Sequence, residues 1–179
     1  TTGVAGPYLT KLLADAGADV VKVEPPGGDP LRRWSASGTP IGDGDDGRLF
    51  QFLNTSKRSV VLDLDDERDV ERLRDLAAAA ALVVEDLLPG RVESLGLGID
   101  DLRTRNASTS LLSISHFGRG GPWSTRVAND FTLQAQVSST DYRGLPGEEP
   151  VCAGGRLGEF ATAAYAAPAA IAALRSARL

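Results

Sequence analysis

With 179 residues, 42% of them hydrophobic and 24% charged, the chain is long enough for one sizeable core and too apolar for disorder or a collagen-like repeat. The net charge of −5 comes from 24 acidic against 19 basic residues, and the bases are interspersed, which leaves no footprint for a nucleic-acid backbone. Cys152 is the lone cysteine, so no internal disulfide is expected; with no charged-then-apolar leader, the expected compartment is a reducing cytoplasm.

Behind Gly6-Pro7, the residues Leu9, Leu12, Leu13 and Ala16 recur at helical spacing, which predicts a helix from Pro7 that Gly17 ends. Asp19 to Glu24 alternates as a strand until Pro25-Pro26 removes two ladder donors. Residues 27–48, rich in Gly, Asp and Pro, read as a long loop of the kind that often carries function. Ser59 to Leu64 predicts the next strand. A helix follows over Asp66 to Ala80, with Val70, Leu73, Leu76 and Ala77 on one face and Asp65 as its N-cap. Ala81 to Val84 reads as a short buried strand, Ile99 to Arg103 as a helical piece after Pro89-Gly90, and Leu111 to Ser115 as a further strand. Strands alternating with helices predict an α/β fold, a parallel sheet with flanking helices whose ligand loops lie at the carboxyl ends of the strands.

The last third reads differently. Asp130 to Ser139 suits either kind of element, and Asp141 to Pro150 is a turn-rich loop. From Glu159 an alanine-rich helix is predicted, with Phe160, Ala164, Ala167, Ile171 and Leu174 on one stripe and a kink at Pro168. Its uncharged stretch, Phe160 to Leu174, is shorter than the roughly 20 apolar residues a bilayer requires, so a buried helix and no membrane partner are expected. Neither an internal repeat nor a composition shift marks a second domain.

His116 is the only histidine, and no nucleophile-elbow or reactive-cysteine signature stands near it, which disfavours hydrolysis by a Ser-His-Asp or Cys-His site. The acidic loop Asp43-Gly-Asp-Asp46 lacks the closing bidentate Glu of a calcium loop and reads as a solvated turn, so no metal is expected. Gly3 and Gly6 before a helix, with Glu24 ending the next strand, raise an NAD-type dinucleotide site as an alternative. The glycines run G-x-x-G rather than G-x-G-x-x-G, however, and Pro7 deletes an N–H that would face a pyrophosphate.

Taken in order, Ala5-Gly-Pro7, the run Leu13 to Pro25, Gly28-Asp-Pro-Leu-Arg32, the run Leu53 to Leu64, Glu85 to Gly90 and Leu95-Gly-Leu97 form a set. Ser113 to Gly118, Gly120-Gly-Pro122 and the glycine-rich Gly154 to Glu159 segment extend it over nearly the whole chain. This set resembles the class III CoA-transferase family, which includes formyl-CoA transferase, carnitine CoA-transferase and alpha-methylacyl-CoA racemase. The resemblance implies that residues 1–179 are a single, incomplete Rossmann-like CoA-binding domain. It also implies that the family's second domain and C-terminal part lie outside this sequence, and that two subunits interlock as a homodimer or two related halves pair as a pseudo-dimer. The substrates it implies are an acyl-CoA and a carboxylic acid acceptor; coenzyme A is then a substrate, with no resident cofactor.

Coenzyme A carries a 3′-phosphate and a pyrophosphate, so its site needs cations and N–H donors. Arg32, Lys57, Arg58 and Arg91 are the candidate cations. The resemblance implies that the Gly28–Arg32 block and the Asn54-x-x-Lys57-Arg58 block line the CoA groove, with Arg91 an approximate match. In the family's transferases an aspartate attacks the thioester, giving a mixed anhydride, then an enzyme-bound thioester, then the acceptor's CoA ester. Glu159 stands at the matching position. A glutamate can serve as such a nucleophile, and its place at a helix start favours negative charge, although a helix-capping glutamate would show the same placement. Val4 replaces a glutamine of formyl-CoA transferase, and Asn129-Asp130 replaces the racemase's His-Asp, which disfavours formate or oxalate handling and racemisation. Two readings follow: a CoA-transferase acting through Glu159, or a non-catalytic half that binds CoA and pairs with a catalytic half or subunit.

Overall fold

The computed structural model describes residues 1–177. Helix α1 (Ala5–Asp15) begins two residues ahead of Pro7, which therefore occupies the first turn, where a missing N–H breaks no helical bond. Gly17 ends it at φ +97°, a left-handed conformation that suits glycine. Strand β1 (Val21–Glu24) pairs in parallel with β2 (Arg58–Val61), Val21 opposite Arg58 and Glu24 opposite Val61. Strand β3 (Leu82–Glu85) pairs in parallel with β4 (Ser110–Ser113). The expected parallel α/β arrangement is present, but as two separate two-stranded pairs rather than one continuous sheet.

Each parallel pair needs a crossover, and helices supply it. Between β1 and β2 the 27–48 stretch contains a 3₁₀ turn (Pro30–Arg33), whose N-cap Asp29 accepts the Leu31 N–H, and leads into α2 (Arg48–Asn54). Helix α3 (Glu67–Ala79) joins the two strand pairs and is capped by Asp66 rather than Asp65; the Asp66 carboxylate accepts the Arg68 N–H. Helices α4 (Arg91–Ser94) and α5 (Ile99–Arg105) connect β3 to β4. The ambiguous segment becomes α6 (Asp130–Gln136), started by a capping box between Asn129 and Thr132.

Three apolar clusters hold these elements. Val70, Ala77, Val92, Leu95, Leu97 and Leu102 lie under α3, and Val4, Leu31, Phe50 and Leu53 lie between α1 and α2. Leu9 and Leu13 of α1 pack against Ala163, Ala167 and Ala170 of α7 (Leu157–Ser176), with Leu82, Val84, Leu112 and Ile114 of the second strand pair beside them. The buried stripe of α7 is thus not the predicted one: Ala164 and Ile171 face solvent, because the leucines of α1 pack on the smaller alanine side chains. Nor is α7 the fully buried helix expected. By length and composition it is apolar enough to cross a bilayer, and here it packs along one face while Tyr165 (84% exposed), Ile171 and Pro168 lie on the outside.

Candidate active site

Glu159 is the third residue of α7, after a bend in which Gly155 (φ +73°) and Arg156 (φ +57°) are both left-handed. Its Oε2 accepts the Val4 N–H at 2.7 Å, and Val4 is the N-cap of α1. Two helix N-termini therefore meet at one carboxylate, and both leave backbone N–H groups unpaired and a positive dipole end nearby. Arg156 Nη1 lies 3.4 Å from the other oxygen, and the carboxylate is about a third exposed. Gly3 (φ +65°) passes so close that a Cβ there would lie 3.0 Å from Oε2. This is a partly exposed, oriented carboxylate with backbone against one oxygen and an arginine near the other.

A second site lies at the first strand pair, a cleft lined by Lys22, Glu24, Arg32, Phe50, Asn54, Lys57, Arg58 and Ser59. It brings together four of the five expected CoA-binding residues. Arg91 is elsewhere: it starts α4, and its Nη2 donates to Asp65 Oδ1 at 2.9 Å and to the Leu64 carbonyl. Within the cleft Arg32 stacks on Phe50, 4.0 Å from the ring centroid. Its Nε and Nη2 donate to Glu24 at 2.7 and 2.8 Å, and its Nη1 donates to both oxygens of Asp46. These carboxylates raise the Arg32 pKa still further.

Glu24 is almost wholly buried and accepts four hydrogen bonds, two from Arg32, one from Ser59 Oγ and one from the Asp29 N–H. Burial alone would push its carboxyl up, but those donors outweigh it and hold Glu24 down at about 2. A carboxylate so engaged has no free oxygen for a ribose, and the dinucleotide alternative loses its acidic residue.

Lys57 Nζ donates to the Pro7 carbonyl, Thr10 Oγ1 and Asn54 Oδ1 at 2.7, 2.9 and 3.0 Å, tying α1 to the end of α2. Burial, then the nearby cations Lys22 and Lys11, push its pKa down to about 7. Asn54 is used on both sides, since its Nδ2 donates to the Phe50 carbonyl. Arg58 is the exposed member, in a bidentate pair with the equally exposed Asp19.

An anion entering the cleft would displace the more exposed partners. Asp19 on Arg58 is open to water, in an ion pair of the exposed kind that contributes at most about 1 kcal/mol, and Asp46 on Arg32 is a third exposed. Glu24 would stay, and keep Arg32 in place. The profile of CoA-transferase family III matches residues 1–178. The chain belongs to this family.

Named relatives and a solved structure agree with it. Subunit BbsE of succinyl-CoA:(R)-benzylsuccinate CoA-transferase from Thauera aromatica is 36% identical over 99% of this chain and 43% of its own length. Human succinyl-CoA:glutarate CoA-transferase is 33% identical over 97% of this chain and 39% of its own. The crystal structure of a CAIB/BAIF family protein from Brucella suis superposes with a TM-score of 0.91 at 32% identity, over 98% of this chain and 47% of that one. The chain spans less than half the length of these relatives.

Four residues take roles here that the sequence did not assign to them. Gly3 and the Val4 N–H reach Glu159 across 155 residues, and the only local signal was the glycine itself. Glu24 was weighed as a ribose ligand and instead holds an arginine. Gln134 was not singled out, because a glutamine in a short segment without apolar periodicity carries no mark of burial.

Proposed function

We propose that this chain serves acyl-CoA:carboxylate CoA transfer, with Glu159 as the carboxylate that accepts the acyl group. The observation that carries this reading is the position of Glu159: oriented by the Val4 N–H between two helix starts, partly exposed, and approached through glycine backbone. A Glu159 oxygen attacks the thioester carbonyl, the C–S bond breaks, and CoA leaves as the thiolate from a mixed anhydride. The thiolate then attacks the glutamyl carbonyl, releasing the donor's carboxylate and leaving CoA as a thioester on Glu159. An acceptor carboxylate reverses these two steps and departs as its own CoA ester, which returns Glu159 to a carboxylate. CoA lies along the first strand pair, its phosphates met by Arg32 and Arg58, with Lys57 and Asn54 bracing the cleft beside them and Arg91 standing farther off.

The setting proposed is a cytoplasmic assembly, an interlocked homodimer or a pseudo-dimer of related halves. Exposed Val127, Tyr142, Tyr165 and Ile171 on the C-terminal third support a covering partner. One departure favours a second reading, in which this chain binds CoA while another half supplies the nucleophile: Glu159 replaces the aspartate that the family resemblance implies. Incubating the intact protein with an acyl-CoA and quenching with hydroxylamine separates the two. Modification of Glu159, seen by peptide mass spectrometry and absent from Glu159→Gln, is the expected result. Transfer at the wild-type rate by Glu159→Gln would overturn the assignment.

A further inference from the structure

Glu159 is placed by the stretch of chain before it, and that stretch is held from α6. The buried carboxamide of Gln134 makes four hydrogen bonds. Its Nε2 donates to Asp130 Oδ2 at 2.8 Å and to the Ala153 carbonyl at 3.0 Å; its Oε1 accepts the Ala153 N–H at 2.9 Å and Arg143 Nη1 at 2.8 Å. Both backbone polar groups of Ala153 therefore close on one side chain, as a neighbouring strand would close them. From Ala153 the chain runs through Gly154, Gly155 and Arg156 into α7 with neither helix nor strand between.

Beyond the bend there is a second contact. Asp130 Oδ1 is shut off from solvent and accepts no hydrogen bond among the described residues. It faces Gly158, where an added Cβ would lie 2.6 Å away. Helix α6 thus holds the chain before the bend through the Gln134 hydrogen bonds and packs closely against it after the bend at Asp130, and Glu159 is the next residue.

We propose that Gln134 is a positioning residue for acyl transfer: by clamping Ala153, it sets where the Glu159 carboxylate stands relative to the Val4 N–H. The proposal rests on the reading of Glu159 as acyl acceptor. The physical reason is the backbone of residues 154–156, which has two glycines and two left-handed positions and samples many conformations unless its ends are fixed. Attack on a thioester loses rate steeply when the nucleophile is misplaced by even about 1 Å. A clamp of this kind acts on kcat and leaves CoA binding, at the first strand pair, untouched.

The test uses the intact protein and three variants. Gln134→Met keeps the length and loses every hydrogen bond; Gln134→Glu keeps the acceptors for the Ala153 N–H and Arg143; Gly158→Ala drives Asp130 and α7 apart while leaving Gln134 in place. Gln134→Met is expected to lower kcat by roughly 10- to 100-fold with KM for acyl-CoA within about 3-fold, and to lower hydroxylamine-trapped Glu159 in proportion. Gln134→Glu, which sets a carboxylate oxygen against Asp130 Oδ2 and the Ala153 carbonyl, should lower kcat as well, and Gly158→Ala should lower kcat without raising KM. Wild-type kcat in a folded Gln134→Met, or a change confined to KM, overturns the proposal. If Gln134→Met does not fold, Gln134→Glu decides, and wild-type kcat there overturns it. Hydrogen exchange at the Ala153 N–H separates the two levels. Faster exchange in Gln134→Met, in a protein whose wild type never traps at Glu159, removes the transfer reading but leaves the clamp; unchanged exchange removes the clamp.

Discussion

Replacing Glu24 by glutamine probes the group on which the cleft is built. The side chain is 2% exposed, and its carboxyl is held at about 2 against an ordinary value of 4.5. A shift of that size corresponds to about 3 kcal/mol of folding free energy at neutral pH, and because Arg32 is 30% exposed, solvent screening brings the expectation to roughly 2–3 kcal/mol. The sign follows from a depressed carboxyl: the contribution is complete above 4.5 and is lost as the pH falls towards 2, where the native carboxylate is protonated at last. Urea unfolding of the intact wild type and Glu24→Gln at pH 7 should show a gap of about 2–3 kcal/mol. At pH 3 the gap should shrink to about 1 kcal/mol, since only the part between 2 and 3 survives. A gap of the same size at both pH values would refute the reasoning and assign the loss to packing alone.

Glu159→Asp shortens the side chain by one methylene and withdraws its oxygen from the Val4 N–H; transfer should fall yet stay above that of Glu159→Gln while the melting temperature drops by a few degrees, and a stable Glu159→Asp no more active than Glu159→Gln would count against a nucleophilic role. Gly47→Ala sets a methyl 2.4 Å from the Trp34 carbonyl oxygen and 2.6 Å from that of Leu31, so chemical denaturation should show about 1–3 kcal/mol of destabilisation together with weaker CoA binding as the Arg32 turn shifts. Lys57, pushed down to about 7, releases its proton in the native state before the unfolded chain does; its penalty is complete below pH 7 and eases as pH rises towards 10.5. Wild type should therefore gain on Lys57→Met in denaturant titrations between pH 7 and pH 10, and parallel pH profiles would contradict it.

Where the apolar pattern was long and had contrast, the fold was legible. Leu9, Leu12 and Leu13 located α1, and Val70, Leu73 and Ala77 located α3. Beyond the 27–48 loop the sequence carries no sign of helix α2, because seven residues, entered from a glycine, give barely two turns of periodicity. Helix α7 was found, but its buried face was not, since alanine on every side offers no contrast and the face is chosen by Leu9 and Leu13 of a helix about 150 residues earlier. Residue order also brought Arg32, Asn54, Lys57 and Arg58 to one place, through the parallel register of β1 with β2 together with the bonds of Arg32 to Glu24 and of Lys57 to α1.

What order does not reveal is which charges are free. Arg32 meets one carboxylate eight residues before it and another fourteen residues after it; in the sequence the first suits a ribose-binding acid and the second a solvated turn. The fold makes them unequal. Glu24 is buried and fixed, whereas Asp46 is a third exposed and sits at the end of a loop. The same inequality separates Lys57, whose three donors end on protein, from Arg58, whose partner Asp19 is 74% exposed. An incoming phosphate competes with water-exposed carboxylates at Arg58 and on one edge of Arg32, and gains little from Lys57 unless Thr10, Pro7 and Asn54 let go. On the proposed function, recognition of CoA by this cleft would be an exchange of anions on arginine, with the buried pair serving as the fixed frame in which the exchange takes place.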